Sequence, residues 1–263
     1  MNPVEVVRGD GPLILGFPHT GTWLPENILA KLNERGRILA DTDWHIERLY
    51  DGLLPDATTV RATFHRYVID ANRGPDDASL YPGQNTTGLV PVTDFDGAPI
   101  WIETPTAAEI AERKANFHTP YHDALAAEIA RVKAKHGVAI LYDCHSIRSV
   151  IPFLFEGVLP DFNIGTNNGT SCDPRIEAAT RDICAATGRT HVLNGRFKGG
   201  WTTRRYGQPK DGVHAIQMEL AQSSHLASEK PPFAYDEAKA AALRVPLAEI
   251  LKRIAAFAPE LKA

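Results

Sequence analysis

Cysteine is scarce in this sequence, which has three among 263 residues: Cys144, Cys172 and Cys184. An odd number of cysteines cannot pair completely within one chain, and no two of them have the CxxC spacing of redox and metal-binding motifs. This excludes a disulfide framework of the kind that stabilises small secreted proteins. It also excludes a zinc site made of cysteines, so any metal would have to be bound by histidines and carboxylates.

Long apolar runs and an excess of positive charge are also missing. No stretch approaches the roughly 20 apolar residues of a membrane helix. The N-terminus, MNPVEVVRGDGP, lacks the basic and apolar regions of a signal peptide. We therefore expect a cytoplasmic protein with no membrane partner. A formal net charge of -4 provides no basic face for nucleic acid, so a small acidic ligand bound by a few local arginines is the expected partner. The sequence does not define an oligomeric state.

What the sequence does contain is an alternation of apolar, strand-like segments with helical patterns. The length and a hydrophobic content of 43% predict one domain over residues 1–263. The alternation predicts an α/β fold with a central mixed, mostly parallel sheet and helices on both faces. The predicted strands are 12–17, 59–70, 137–143, 151–157 and 213–220, and the predicted helices are 41–54, 104–118, 119–137, 173–188 and 236–257. Residues 73–100 and 194–212 are predicted to be long, functional loops.

Two histidines follow apolar strands. The segment PLILGFPHTG leads into His19, and GVAILYDCHS leads into His145. Because open α/β sheets bind ligands at the carboxyl ends of their strands, both imidazoles are expected at the same edge. Two histidines and one carboxylate form a common catalytic zinc set. Asp43 is the preferred third ligand. Asp41 and Glu47 stay open as alternatives because all three acids lie in one short segment.

A candidate general base lies in another predicted strand. Glu219 follows VHAIQM, a segment typical of a buried strand, where a charged residue needs a partner or a function. The alternative is that Glu219 simply ends the strand at the surface. The two strand-end histidines favour the first interpretation, since water on a metal needs a base that is not itself a ligand.

Cys144 offers a competing interpretation of the stretch YDCHS, as a catalytic nucleophile. In a strand, however, its side chain points to the face opposite Asp143 and His145, so His145 is a poor base for it. We interpret Cys144 as a core residue and Asp143 as an acid that orients the metal site.

The ordered motifs of the chain resemble the N-formylglutamate amidohydrolase family, and more distantly zinc carboxypeptidases and aspartoacylases. The matching segments run from residue 17 to residue 220: FPHTG, DTDW, RYVIDANR, YH, DCHS, GRFKGGWTTRRYG and VHAIQMEL. The resemblance implies a zinc carboxypeptidase-like or phosphorylase/hydrolase-like α/β fold. One departure concerns His19, which is followed by Thr20 and Gly21, whereas carboxypeptidase-like proteins have a glutamate just after the first zinc histidine. The acidic ligand is therefore sought elsewhere.

The resemblance implies zinc-dependent hydrolysis of N-formyl-L-glutamate to formate and L-glutamate, in histidine degradation. Such a substrate has two carboxylates beside a small amide, so the site needs two groups of cations. Asn72 and Arg73 would bind one carboxylate. The candidates for the other are Arg66, Arg148, Arg204 and Arg205, with Tyr206 as a further donor. The resemblance also assigns proton transfer to Glu219, and Arg66 would offset charge on the reacting oxygen.

Other interpretations stay open. The chain could be a related metallohydrolase acting on another N-acyl amino acid or a peptide end, or a dicarboxylate-binding protein without catalysis. Arg73 could pair with a neighbouring aspartate on a solvated turn. His118 and His122 have the i, i+4 spacing of helical metal ligands, but Pro120 is expected to break the helix between them, which makes His122 a packed residue.

Overall fold

The computed structural model describes residues 2–261, in which helices pack against a central sheet. Over these residues the sheet has seven strands: β1 (Val4–Val7), β2 (Leu13–Phe17), β3 (Thr58–Ala62), β4 (Ala139–Ile147), β5 (Phe162–Gly165), β6 (His191–Leu193) and β7 (Val213–Ala221). Their order across the sheet is β1-β3-β2-β4-β7-β5-β6. The pairs β1/β3 and β5/β7 are antiparallel and the other neighbours are parallel, which confirms the prediction of a mixed, mostly parallel sheet.

Helices cover both faces of this sheet. They are α1 (Glu26–Leu29), α2 (Ile46–Tyr50), α3 (Ala107–Arg113), α4 (Thr119–His136), α5 (Pro174–Ala186), α6 (Trp201–Tyr206) and α7 (Glu237–Ala256). One hydrophobic core joins alternate strand residues to α2, α5 and α7, and a second joins the intervening strand residues to α4. None of these helices within residues 2–261 is long and apolar enough to cross a bilayer.

The alternation along β4 decides which face each side chain occupies. Ile140, Tyr142 and Cys144 belong to the core beneath α7, whereas Leu141 packs towards α4. Cys144 is fully buried, and burial raises the pKa of its thiol well above the usual range. The interpretation of Cys144 as a core residue is confirmed. His145 has the opposite parity and therefore lies on the α4 face, beyond the apolar part of the strand.

The helix signals in the sequence predicted their boundaries well where capping groups are present. Thr106 caps α3 in a reciprocal capping box with Glu109. Asp173 caps α5, which begins at Pro174, and Asp236 caps α7, which runs through Pro246 without ending. Each of these caps satisfies backbone N–H groups that the helix cannot satisfy itself.

Several predicted boundaries are wrong. The segment predicted as a strand over 151–157 forms turns, in which Leu154 and Phe155 donate backbone hydrogen bonds to Ile151. The predicted strand 59–70 ends at Ala62, and the predicted helix 41–54 is helical over Ile46–Tyr50. Strands β1, β5 and β6 were missed because they are short. The predicted loop 194–212 contains α6, whereas residues 73–100, all of them described, form no helix or strand.

Pro120 does not separate α3 from α4, contrary to the prediction. Residues Lys114–His118 form a π-helical turn that joins the two helices into one continuous segment. Pro120 has no N–H to donate to the preceding turn, and the wider π-helical turn before it accommodates the missing bond. Both His118 and His122 therefore lie on one helical path, with ring centroids 4.4 Å apart.

Candidate metal centre and substrate cavity

The two strand-end histidines and Asp43 meet at the carboxyl edge of the sheet. Strands β2 and β4 are parallel neighbours, so His19, just beyond β2, lies beside His145 near the end of β4. The Asp43 backbone N–H donates to the carbonyl of His19 at 3.0 Å. The Ser146 N–H donates to Asp43 Oδ2 at 3.2 Å, so backbone contacts hold this acid against both strand ends.

The side chains of His19, Asp43 and His145 form a compact, buried cluster. The two Nδ1 atoms lie 3.2 Å apart. Asp43 Oδ2 is 3.0 Å from Nδ1 of His145 and 3.7 Å from Nδ1 of His19. One potential ligand atom from each residue lies within 4.8 Å of the others. A single metal ion can contact ligand atoms this close together.

Outer contacts orient the two imidazoles. His19 Nε2 donates to Asp70 Oδ1 at 2.6 Å, which leaves a lone pair on Nδ1 directed into the cluster. Nε2 of His145 is 3.0 Å from the amide nitrogen of Asn72 and 3.1 Å from Asp143 Oδ2. The second contact is not aligned as a hydrogen bond, and neither Asp143 oxygen has a hydrogen-bond partner among residues 2–261.

The charges of this cluster fit a cation. Three buried carboxylates, those of Asp43, Asp70 and Asp143, face one buried guanidinium, that of Arg66. Buried carboxylates without matching positive charge are costly, and a divalent ion would offset the excess. Burial lowers the pKa of His145, but Asp143 and Asp43 outweigh it and raise this pKa well above its usual value. The acids therefore attract positive charge to the position where the three ligand atoms converge.

Arg66 contacts two of these carboxylates, Asp43 and Asp70. Its Nη2 donates to Asp43 Oδ1 at 2.8 Å, and its Nη1 lies 3.9 Å from Asp70 Oδ2. Burial raises the pKa of Asp43, but the Arg66 charge and the contacts with His145 and His19 outweigh burial and keep it below the usual range. The pKa of Asp70 is lowered despite burial by His19 and Arg66 in the same way. Both acids are thus held as carboxylates.

Glu219 lies directly beside the cluster. In the β4/β7 pairing its Cα is opposite that of His145, and both side chains point to the α4 face. Glu219 is 7% exposed, and burial raises its pKa to about 8. Gln217 Nε2 donates to its Oε2 at 3.1 Å. The carboxyl group can therefore accept and return a proton near neutral pH.

The two alternative acids lie away from this cluster. Asp41 accepts hydrogen bonds from the Tyr67 hydroxyl at 2.8 Å and the Phe95 N–H at 3.0 Å, and burial raises its pKa to about 7. Glu47 is on α2 and lines a separate depression beside Trp44. Among the three acids of this segment, Asp43 is the one that converges with the histidines.

A cavity opens in front of the cluster of His19, Asp43 and His145. Its walls include His19, His145 and Glu219 and three arginines, Arg66, Arg73 and Arg196. The long loop 73–100 supplies a further wall through Tyr81, Asn85, Thr86 and Thr87. The cavity therefore combines the histidine cluster and Glu219 with positively charged side chains, as expected for a small acidic ligand.

Asn72 and Arg73 are presented to the cavity by a histidine pair. His122 Nε2 donates to the Ala71 carbonyl and His118 Nε2 to the Arg73 carbonyl, both at 2.8 Å. Burial lowers the pKa of both imidazoles, that of His122 to about 3, so they act as neutral donors. Asn72 Oδ1 accepts from the Thr202 N–H at 2.9 Å. This pair, which has the spacing of helical metal ligands, instead fixes the backbone, and His122 is the packed residue that the sequence predicted.

Several arginines named from the sequence lie outside the cavity lining. Arg148 Nη2 donates to Asp96 Oδ1 at 3.0 Å. Arg204 donates to the Gly199 carbonyl at 3.0 Å and the Leu80 carbonyl at 3.3 Å. Arg205 is exposed. Arg148 and Arg204 therefore brace loops around the site.

Tyr206 also lies outside the cavity lining. Its hydroxyl is 3.1 Å from Nδ1 of His122, to which it donates.

Asn72 packs against the α6 N-terminus, where a Cβ at Gly200 would come within 2.3 Å of its amide nitrogen. Glycine is required at this position, since any side chain would displace Asn72.

Sequence reasoning missed two residues of the site. Asp70 lies inside the motif RYVIDANR, but its contact with His19 depends on the turn after β3, which was predicted as strand. Arg196 lies in the motif GRFKGGWTTRRYG together with Arg204 and Arg205, and no spacing distinguished it from them. The available signal for Arg196 was its position as a basic residue just before the glycines of this loop.

Comparisons with known proteins agree with this geometry. Residues 11–226 match the family model described as N-formylglutamate amidohydrolase. Two relatives named N-formylglutamate deformylase, from Pseudomonas aeruginosa and Pseudomonas putida, are 50% and 46% identical to this chain over 257 residues, with 96% of each chain covered.

Solved structures give the same result. The crystal structure of N-formylglutamate amidohydrolase from Ralstonia eutropha JMP134 has a TM-score of 0.85 and 25% identity, and the match covers 99% of both chains. An Agrobacterium tumefaciens protein has the same fold, with a TM-score of 0.75 at 22% identity over 98% of this chain and 96% of that one. The extent of these matches, over the segments that carry the cluster and the cavity, shows that the chain belongs to the N-formylglutamate amidohydrolase family.

Proposed function

We propose that this protein is a zinc-dependent deformylase that hydrolyses N-formyl-L-glutamate to formate and L-glutamate, a step of histidine degradation in the cytoplasm. The observation that carries the proposal is the convergence of His19, Asp43 and His145 beside Glu219, at the wall of a cavity that three arginines line. Family membership and the names of the two Pseudomonas relatives support this choice of substrate.

His19, Asp43 and His145 would hold the metal ion through Nδ1, Oδ2 and Nδ1. Two histidines and one carboxylate are a ligand set that suits zinc and leaves room for water. A zinc ion bound there would lower the pKa of a water molecule and polarise the formyl oxygen. Asp70 keeps His19 in the tautomer that exposes its Nδ1 lone pair.

Glu219 is the proposed general base. As a carboxylate it accepts the proton of the attacking water, and as the acid it returns that proton to the leaving nitrogen of glutamate. Its burial raises its pKa to about 8, and a bound cation would lower that value by favouring the carboxylate. Gln217, which donates to Oε2, holds the group in place between these two steps.

Arginines supply the remaining charge. Arg66 is buried next to Asp43, so its positive charge is available to the reacting oxygen as negative charge develops there. Asn72 contacts His145, and the adjacent Arg73 makes no side-chain hydrogen bond or ion pair within the described residues 2–261. We therefore assign Asn72 and Arg73 to the substrate carboxylate nearest the reacting amide.

The experiment combines metal analysis with formate release. Purified protein is analysed for bound metal, stripped with a chelator and reloaded with zinc, and turnover is measured on formyl, acetyl and succinyl derivatives of glutamate and aspartate. We expect about one metal per chain, activity that returns with zinc, and the highest kcat/KM for N-formylglutamate. Preference for an acetyl or succinyl substrate would contradict the substrate assignment. Binding of these compounds without turnover by the metal-loaded protein would contradict the enzyme assignment.

A further inference from the structure

Arg196 is held by several contacts in the wall of the cavity. It lies after β6 and is half-buried. Its Nε donates to the Leu154 carbonyl at 3.0 Å, and its Nη2 donates to the Asn85 carbonyl at 2.9 Å. The Cζ atom is 5.2 Å from the ring centroid of Tyr81 and 5.3 Å from that of Phe197. Two carbonyls and two rings therefore fix the guanidinium plane.

The contacts of Arg196 leave part of its guanidinium without a partner. Its Nη1 makes no hydrogen bond with any residue over 2–261, and no carboxylate in that range forms an ion pair with it. Burial lowers the pKa of Arg196, and the charge of Arg73 adds to this effect, whereas Tyr81 and Glu219 act in the opposite direction. A preorganised guanidinium that lines a cavity and has a donor without a partner is suited to bind an anion from solution.

The two arginines reach the cavity from different loops. Arg73 follows Asn72, whose amide contacts the metal-ligand candidate His145. Arg196 is attached instead to the loops around Asn85 and Leu154, and its hydrogen bonds within residues 2–261 do not involve the histidine cluster. In an N-formyl amino acid the α-carboxylate is attached next to the reacting amide, whereas the side-chain carboxylate of glutamate lies further along. Arg73 therefore faces the first of these groups and Arg196 the second.

We propose that Arg196 determines specificity by binding the side-chain carboxylate of the substrate, so that the cavity selects N-formyl dicarboxylic amino acids over neutral ones. This inference rests on the proposed deformylase function and deepens it. Arg196 contributes binding and discrimination through Nη1, while the proton transfers stay with Glu219.

The test compares N-formylglutamate with N-formylglutamine, which has nearly the same shape but no side-chain charge. For Arg196→Gln we expect kcat/KM to fall roughly 10- to 100-fold for N-formylglutamate and to stay within about threefold for N-formylglutamine. The ratio of the two values then falls by about the same 10- to 100-fold. Because both substrates are measured on the same variant, a general loss of folded protein does not change the ratio.

Arg204→Gln is the matched control. Arg204 also donates to two backbone carbonyls and also lies over Tyr81, with its Cζ 5.0 Å from the ring centroid, but it does not line the cavity. This variant should keep the wild-type ratio, whatever it does to the absolute rates. A lower rate on both substrates with an unchanged ratio in Arg196→Gln would overturn the proposal, as would an unchanged rate on N-formylglutamate.

A binding measurement separates this inference from the proposed function. Calorimetry on the zinc-loaded protein compares glutarate, which has two carboxylates, with butyrate, which has one. We expect Arg196→Gln to weaken glutarate binding at least about tenfold and to leave butyrate binding unchanged. Equal glutarate affinity in the variant and the wild type would refute the role of Arg196 even if N-formylglutamate is turned over. A wild type that binds glutarate but releases no formate would refute the deformylase function alone.

Discussion

Two pairs of histidines lie near the cavity, and they differ in what their nitrogens contact. His19 and His145 are 126 residues apart in sequence, yet their Nδ1 atoms face each other beside Asp43. His118 and His122 are one helical turn apart, and each donates to a backbone carbonyl. His118 and His122 have the familiar metal-binding spacing, but their hydrogen bonds hold the backbone in place. Ring nitrogens that converge beside buried carboxylates, rather than close spacing in sequence, distinguish the candidate metal centre.

The largest expected effect separates these two pairs directly. His19→Ala removes a ligand and should abolish both stoichiometric zinc binding and formate release. His122→Gln should retain zinc, since its imidazole contacts Ala71 and Tyr206 rather than the cluster. Elemental analysis and turnover of the two purified variants check the difference. Full zinc content in His19→Ala would contradict the ligand assignment.

The next largest effect tests whether Glu219, which lies beside His19 and His145, acts as the general base. Glu219→Gln should retain zinc but lose about 10²- to 10⁴-fold in kcat, the range of a lost general base. Glu128→Gln is the control, because Glu128 is equally buried but pairs with Arg8 and Arg131 outside the cavity. That variant should lose stability and keep its kcat. Wild-type turnover by Glu219→Gln would remove the base assignment.

A smaller effect comes from the acid behind His19. Asp70→Asn keeps the shape of the side chain but no longer fixes the Nδ1 lone pair, so zinc affinity or activity should fall about 10- to 100-fold. Competition with a zinc chelator gives the affinity, and formate release gives the rate. A variant with unchanged zinc affinity and unchanged rate would show that the Asp70 contact does not support the metal centre.

The smallest effect concerns the pH dependence of stability that His122 causes. Burial lowers its pKa in the folded state to about 3, whereas the unfolded chain binds the proton near 6.5. The unfolded state therefore binds more protons between these values, so stability falls as the pH falls through this window. His122→Gln should reduce the slope by up to about 1.4 kcal/mol per pH unit.

Urea unfolding of the chelator-stripped wild type and variant at pH 7, 6 and 5 measures this slope. Parallel curves for the two proteins would show that His122 is protonated in the folded state as easily as in the unfolded state. The buried imidazole that donates to the Ala71 carbonyl would then not be neutral in the folded state.

Most of the architecture could be predicted from local patterns. The strands β2 and β7 and the capped helices α3, α5 and α7 follow from apolar periodicity and from caps such as Thr106 and Asp173. The segment 151–157 misled because it is apolar without being in the sheet. Its Leu154 lines the cavity and its Phe153 is 41% exposed, and neither position is encoded by β propensity.

The convergence of the two histidines was predictable for a different reason. His19 and His145 each follow an apolar strand, and parallel strands bring their carboxyl ends together whatever the sequence between them. Asp43 could not be separated from Asp41 and Glu47, because their positions depend on irregular backbone in which His45 has a left-handed conformation with φ 61°. Small changes in that backbone decide which acid points inward.

The sequence by itself determined the α/β class, the strands that carry the histidines, the burial of Cys144 and the family. These properties depend on periodicity, on capping groups and on ordered motifs, all of which are local. Only the tertiary structure decided that Asp43 faces the histidines, that Asp70 supports His19, and that Arg196 rather than Arg148 or Arg204 lines the cavity. Those outcomes depend on long loops, in which the direction of a side chain is set by carbonyls and rings distant in sequence.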